Sequence, residues 1–401
     1  MSLDVTTFAA ALKQHYTADR VENMVYTDNP LLALMPKMEQ FGGKNLPIPI
    51  IFGNPQGASA VFATAQANKT NSQLKDFVLT RNSFYSLASI SNEVLEASKG
   101  NQNAFMEAAT TEIDGAIQAA TRQLAIAMYR NGSGSIGQVA NSSFATTSLQ
   151  LSETEDITNF EVGQKLQVSS ADGGGSVRAG TLTIVGVDRD SGVITTSQNL
   201  STGIAAIAQN DYIVVEGNYD AMIKGLRAWV PDSAPSATPF FGVVRTADST
   251  RLGGIRFDAS SMPLEEGLVA AASRAAREGA KPTHCMMNYA EFADLEKAIG
   301  SKVQYVDLKV NADVGFRGIV VNGPRGPIKV IPDQNCPAGR AFMLQLDTWK
   351  LYSLGKAPKI LDADGMKMLR ENAADAVEVR VGYYAQLGCR APGWNCNVKL
   401  R

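Results

Sequence analysis

Imidazole is almost missing from this chain: His15 and His284 are the only two histidines in 401 residues. That leaves little material for histidine-based acid–base catalysis or a histidine-rich metal site. Cysteine is scarce as well. Cys285, Cys336, Cys389 and Cys396 are too few and too scattered for a disulfide framework, and no C-x-x-C pair is present for zinc, so buried reduced thiols are expected. Neither sign of charge prevails: 37 basic and 39 acidic residues give a formal charge of −2. That balance argues against a dedicated nucleic-acid binder, although it leaves room for a local basic face. No apolar run approaches the ~20 residues of a membrane span. The N-terminal stretch also lacks the charged, apolar and cleavage regions of a signal peptide, so the chain is expected to be cytosolic when made.

What is present is an arm and a beam. The length favours two or three modules. Residues 1–40 read as an N-terminal arm with a short helix and a turn at Asp28-Asn-Pro30. Residues 41–90 read as an extended β-hairpin arm: Lys44 to Ile51 alternates apolar residues with prolines, Gly53-Asn-Pro-Gln-Gly57 turns, and Leu74 to Ile90 returns as a β-rich run. Pro47 and Pro49 remove ladder donors, which makes this edge or hairpin material. A two-stranded ribbon is marginal alone in water, so its apolar side chains need another surface, on this subunit or on a neighbour. The segment 91–131 carries a short helix to about Gly100 and a long one over 103–130. Phe105, Ala109, Ile113, Ala116, Ile117, Ala120, Leu124, Ala127 and Met128 form its apolar stripe, opposite Glu107, Glu112, Asp114, Gln118, Arg122 and Gln123. Asn131-Gly132 stops it. Residues 132–218 are rich in Ser, Thr, Gly and Val with repeated turn signals, and predict a small all-β insertion with strands at 160–163, 165–168, 181–187, 193–196 and 211–215. From 219 onward the pattern is again mixed, with helices at 263–278 and 289–299 around a strand at 283–287.

Each chemical motif has a plainer account. Gly132-Ser-Gly-Ser-Ile-Gly137 has the letters of a dinucleotide fingerprint but follows a helix and leads into β sequence, the reverse of the required order, and reads as a linker. Asp188-Arg-Asp-Ser-Gly192 and Asp362-Ala-Asp-Gly365 lack the further ligands of a calcium loop and read as hairpin turns. His284 and Cys285 are adjacent on a strand and point to opposite faces, so they cannot pair as base and nucleophile. Glu265, Glu266, Asp294 and Glu296 read as solvated helix faces. Asn68-Lys-Thr70 and Asn141-Ser-Ser143 match a glycosylation acceptor that carries no meaning without a secretory route. No catalytic, cofactor-binding or metal residue is assigned.

Taken in order, these parts resemble the major capsid proteins of tailed bacteriophages, the Hong Kong 97 fold. The resemblance rests on Phe77-Val-Leu-Thr80 through Ser89–Ser98, on Gly279-Ala-Lys-Pro-Thr-His-Cys-Met-Met-Asn288, on Gly315-Phe-Arg-Gly-Ile319, Gly326–Asp333 and Leu346–Leu351, and on the run Val379–Pro392. It implies an α+β capsid fold with N-terminal arm, extended loop, spine helix, peripheral and axial domains and the inserted small all-β domain. The axial domain with part of the peripheral one would occupy 219–345, and residues 346–401 would return to both. It further implies a non-enzymatic shell protein of the virion, assembled in the bacterial host cytoplasm. The implied partners are itself, as hexamers and pentamers, then portal, scaffold or decoration proteins, and encapsidated double-stranded DNA by non-specific contact, with no membrane. Ile48, Ile50, Phe52, Val61, Phe62, Lys69, Lys75 and Phe77 would be the intersubunit contacts. Some members weld subunits through a Lys–Asn bond; Lys44, Lys69 and Lys75 lie near or on the extended loop, but neither the Asn nor the catalytic Glu can be matched, and no such site is named. The alternatives are an encapsulin-like nanocompartment shell and an enzyme or binding protein with an accessory β module.

Overall fold

The computed structural model describes residues 28–93, 102–300, 305–311, 314–362, 369–372 and 374–401. The helix expected near the start of the chain, most of the short helix expected at 91–100, most of the turn beginning at Asp362 and the side chains of 102–109 (Phe105 and Ala109 among them) lie outside those residues.

One strand, Ala376–Cys389, organises the first sheet. Its odd-numbered side chains, from Val377 to Cys389, all enter the main core, the period of two that a half-buried strand requires. One edge pairs antiparallel with Asn82–Ser91 along 376–385. The other edge takes Leu369–Arg370, Lys359–Ile360 and Trp349–Ser353 in succession, and Lys37–Met38 adds outside the last of these in parallel. The long helix, Gln102–Tyr129, packs across the odd face with Ile113, Ile117, Ala120 and Leu124 fully buried. Its 28 residues make a rod of roughly 42 Å. The expected polar face is corrected at Gln123, which is buried. The last turns lie between two cores, with Leu124, Ala127 and Met128 in the main one and Ile126 in that of the second sheet.

The second sheet has six strands in the order 135–138, 212–215, 165–169, 182–188, 193–196, 148–150, around a core that includes Phe160, Leu166, Ile184 and Ile213. Residues 160–163, expected as a strand, instead follow the 3-10 helix Thr154–Asn159 and turn at Gly163. The run read as a linker becomes a turn, through the positive φ of Gly132 and Gly134, and then the strand Ser135–Gln138. A Cβ on Gly134 would stand 2.4 Å from the Asn218 carbonyl oxygen, so this glycine serves close packing of the chain on itself.

The third sheet has seven strands, in the order 255–258, 396–399, 340–344, 284–287, 326–332, 314–323, 305–311. One face, with Cys285, Met287, Val330, Met343 and Val398, is covered by the helices Leu264–Arg277 and Tyr289–Ile299. The other face, with Met286, Ile331, Phe342 and Leu344, joins the main core. The four cysteines are free and buried.

His284 lies beside Lys329 across the parallel ladder. Burial, helped by that ammonium, pushes its imidazole down to about 4. The unfolded chain protonates His284 near 6.5, whereas the folded chain resists protonation until about 4. The stability this group provides is therefore complete above the first value and is lost as pH falls toward the second. Denaturant titrations from pH 7 to 4 are expected to find wild type losing on the order of 1–2 kcal/mol more than His284→Gln, allowing for the partial exposure of the ring. Parallel pH profiles would remove His284 as the cause.

Candidate assembly surface

The ribbon Asn45–Gly53 paired with Gln73–Thr80 is two structures in one. At its base, Ile48, Ile50, Phe77 and Leu79 all point inward and are buried by their own subunit. Phe77 packs on Trp229, ring centroids 5.2 Å apart, and on Phe240 at 6.2 Å. Gly388 lets the ribbon approach, since a Cβ there would stand 2.8 Å from Ile48 and 2.9 Å from Leu79. The Val78 amide donates to the Phe241 carbonyl at 3.0 Å, and Arg251 donates to the Phe52 carbonyl at 2.7 Å. Pro47 and Pro49, two residues apart, leave their missing donors on one edge. The ladder runs through both, so that edge faces outward. The expectation that a neighbour buries Ile48, Ile50 and Phe77 is corrected, because Trp229, Phe240 and the strand around Gly388 already cover them. Phe52 is half-buried at the junction.

Beyond Gly53, no part of the described subunit covers the chain. The tip closes on itself, with the Thr70 amide donating to the Gln56 carbonyl at 2.7 Å and the Gln56 amide to Thr70 Oγ1 at 2.8 Å. The short helix Phe62–Ala67 buries none of its residues. Phe62 is 82% exposed and Val61 58%; Lys69 and Lys75 are exposed as well. Among the described residues, nothing covers the phenylalanine that this pre-shaped tip holds in water.

The base is held by buried polar groups. Gln386, fully buried, donates to the Thr80 carbonyl at 3.1 Å and to Asn82 Oδ1 at 2.8 Å while accepting from the Lys224 amide at 2.9 Å. It fixes the corner where the ribbon becomes the return strand. Arg81 donates to the Phe41 carbonyl and lies over its ring at 5.1 Å. Asp333 accepts from the Tyr129 hydroxyl at 2.8 Å, the Leu31 amide at 3.3 Å, and the Asn335 amide and side chain at 2.9 and 3.0 Å. This joins the helix Pro30–Leu34, the long helix and the third sheet at one carboxyl. Burial pushes that carboxyl up while the four donors pull it back. Arg130 pairs with Asp156 at 2.6 Å and ties the helix end to the second sheet. Each group has a structural partner, and none is arranged around an open reaction site. Among the described residues there is no cluster of His, Cys, Asp or Glu suited to a metal and no helix long and apolar enough to cross a membrane.

The sequence pattern singles out neither Trp229 nor Phe240 nor Phe241, and it includes Gln386 only as one member of the run Val379–Pro392. The one available signal was the aromatic pair in a stretch otherwise rich in Ser, Ala and Pro. Phe241 adopts φ +47°, costly for a bulky residue, and is held there by Phe240 at 4.6 Å and Trp229 at 5.7 Å.

No protein-family model matches the sequence, and no curated protein matches it. Solved structures do. The capsid asymmetric unit of cyanophage A-1(L) is 12% identical, covers 93% of this chain and 92% of its own, and superposes with a TM-score of 0.53. The SrpI encapsulin of Synechococcus elongatus is 10% identical over 97% of this chain and 94% of its own, TM-score 0.44. A virus-like particle chain from Pyrococcus furiosus is 9% identical over 95% and 96%, TM-score 0.41. With the arm, ribbon, long helix and sheets in the order described, and the cyanophage capsid chain superposing over nearly its whole length, this chain has the Hong Kong 97-type capsid fold.

Proposed function

We propose that the chain is the repeating subunit of a closed icosahedral shell, the head that encloses the double-stranded DNA of a tailed phage. The observation that carries this reading is the ribbon: its base is anchored by its own subunit, and its tip presents Val61 and Phe62 to water. In a shell of identical copies the tip laps onto a neighbour, and contacts that are weak singly add up across a closed symmetry. Lys69 and Lys75 flank that contact. In this reading the third sheet is the axial unit around the symmetry axes, and the first sheet with the long helix is the peripheral unit. The second sheet is the insertion at 132–218. The near-zero net charge suits an inner wall that contains DNA without clamping it. Portal, scaffold or decoration proteins are the expected companions.

The test is expression of the chain, alone and with the genes that flank it in its own genome, followed by sedimentation and negative-stain microscopy. Closed particles of uniform size are the expected result. A homogeneous monomer under every condition would overturn the reading. Flanking terminase and portal genes would support the phage head; a peroxidase or ferritin-like neighbour would replace it with a cargo compartment.

A further inference from the structure

An open cleft of about 420 Å³ lies beside the ribbon base, lined by Ile51, Phe52, Arg251, Glu278, Arg390 and Trp394. Its apolar surface is unusually wet: Ile51 is 62% exposed and Trp394 41%. Its charge is lopsided. Glu278 accepts from Arg274 at 2.8 Å, and Arg251 faces Asp248 at 3.7 Å. That leaves Arg390, exposed beside the indole, as a cation with no side-chain partner among the described residues.

The complementary surface is on the same molecule. Glu278 caps the C-terminal end of the helix Leu264–Arg277, whereas its other end exposes Met262, Glu265, Glu266 and Val269. The helix turns Leu268, Ala271, Ala272 and Ala275 into the core. That leaves an outward face which is acidic and apolar, and whose carboxylates form no ion pair among the described residues. The two acids favour the helix start through its dipole, but this leaves their outward oxygens free. From Glu266 to Glu278 the rise is roughly 18 Å, too far for either patch to reach the other within one copy.

We propose that the cleft at Trp394 and Arg390 receives the Met262–Val269 face of a second copy. Glu265 and Glu266 meet Arg390 and Arg251, and Met262 and Val269 lie on Trp394 and Ile51. Because the two patches are different and displaced along one helix, the contact is head-to-tail. Repetition turns copies about an axis instead of pairing them face to face. The inference takes its setting from the shell reading, but its chemistry stands on the two patches.

The test uses the full chain in two variants that keep every charge, Met262→Cys and Ala391→Cys; the native thiols are buried. Oxidised together, the two are expected to give a disulfide-linked dimer that neither gives alone. The double variant is expected to give a ladder of higher species. Arg390→Glu should reduce the cross-linked yield at least about tenfold, and Glu266→Arg in the partner should restore it. A dimer from either single variant alone would mean a symmetric contact and overturn the proposal, as would no cross-link at all. Closed particles without the cross-link would overturn this contact and leave the shell reading standing. A cross-linked ladder without closed particles would support the contact and overturn the shell.

Discussion

Replacement of residues 54–72 by two glycines, which join Gly53 to Gln73 through a tight turn, is expected to leave a folded, soluble chain that no longer closes into particles. The tip contributes no buried side chain to its own subunit, so its removal forfeits no core. The ladder below it, from Asn45 with Thr80 to Ile51 with Leu74, stays closed by a short hairpin, and shortening a loop costs little chain entropy. What disappears is the surface that holds Phe62 clear of the subunit. Particle yield by sedimentation should fall at least about a hundredfold, because the loss repeats at every contact of a cooperative shell. Circular dichroism and thermal midpoint should stay close to those of the parent. Normal particles from the shortened chain would sink the lapping tip.

Trp229→Ala should do the reverse and damage the subunit itself. The indole is fully buried among Phe77, Phe240, Phe241 and Trp349 at centroid distances of 5.1 to 6.4 Å, and its N–H donates to the Leu387 carbonyl at 3.0 Å. Removing it opens a cavity where ribbon, aromatic loop and first sheet meet, and strands a buried carbonyl. The expected loss is about 3–5 kcal/mol, read from urea midpoints at constant m. Hydrogen exchange should also accelerate in Gln73–Thr80 before it does in the third sheet. Equal acceleration everywhere would mean that Trp229 supports the fold generally and does not anchor the ribbon.

The long helix was legible because its apolar spacing is a local property: Ile113, Ile117, Ala120 and Leu124 recur at helical steps whatever they pack against. The ribbon was legible as a ribbon for the same reason. The surface that its inner face rests on was not. Ile48 meets Gly388, and Phe77 meets Trp229, across separations that no local pattern encodes; without those partners in view, a neighbouring copy was the natural host. The division of the proposed contacts follows from this. Val61, Phe62, Lys69 and Lys75 face water, Ile48, Ile50 and Phe77 face their own core, and Phe52 lies between. Ser135–Gln138 was missed for another reason. Its Ser, Gly and Gln have little strand preference, and the pairing with Tyr212–Val215 imposes the conformation. The polar side expected of the long helix failed at Gln123 because a second core closes over that end.

The strand Ala376–Cys389 also sets a clock. Gln386 meets Asn82 across 304 positions, so during synthesis the return strand, the ribbon base and the long helix all leave the ribosome before the strand that binds them exists. Contacts of such long sequence separation form late and slowly. Until they form, the corner at Thr80 and Asn82 has no buried amide to fix it and the ribbon has no bed, so its tip cannot be held at a defined angle. In the proposed shell, a nascent chain would therefore emerge without a usable lapping surface and gain one only when its first sheet closes, which would keep unfinished copies out of a growing lattice.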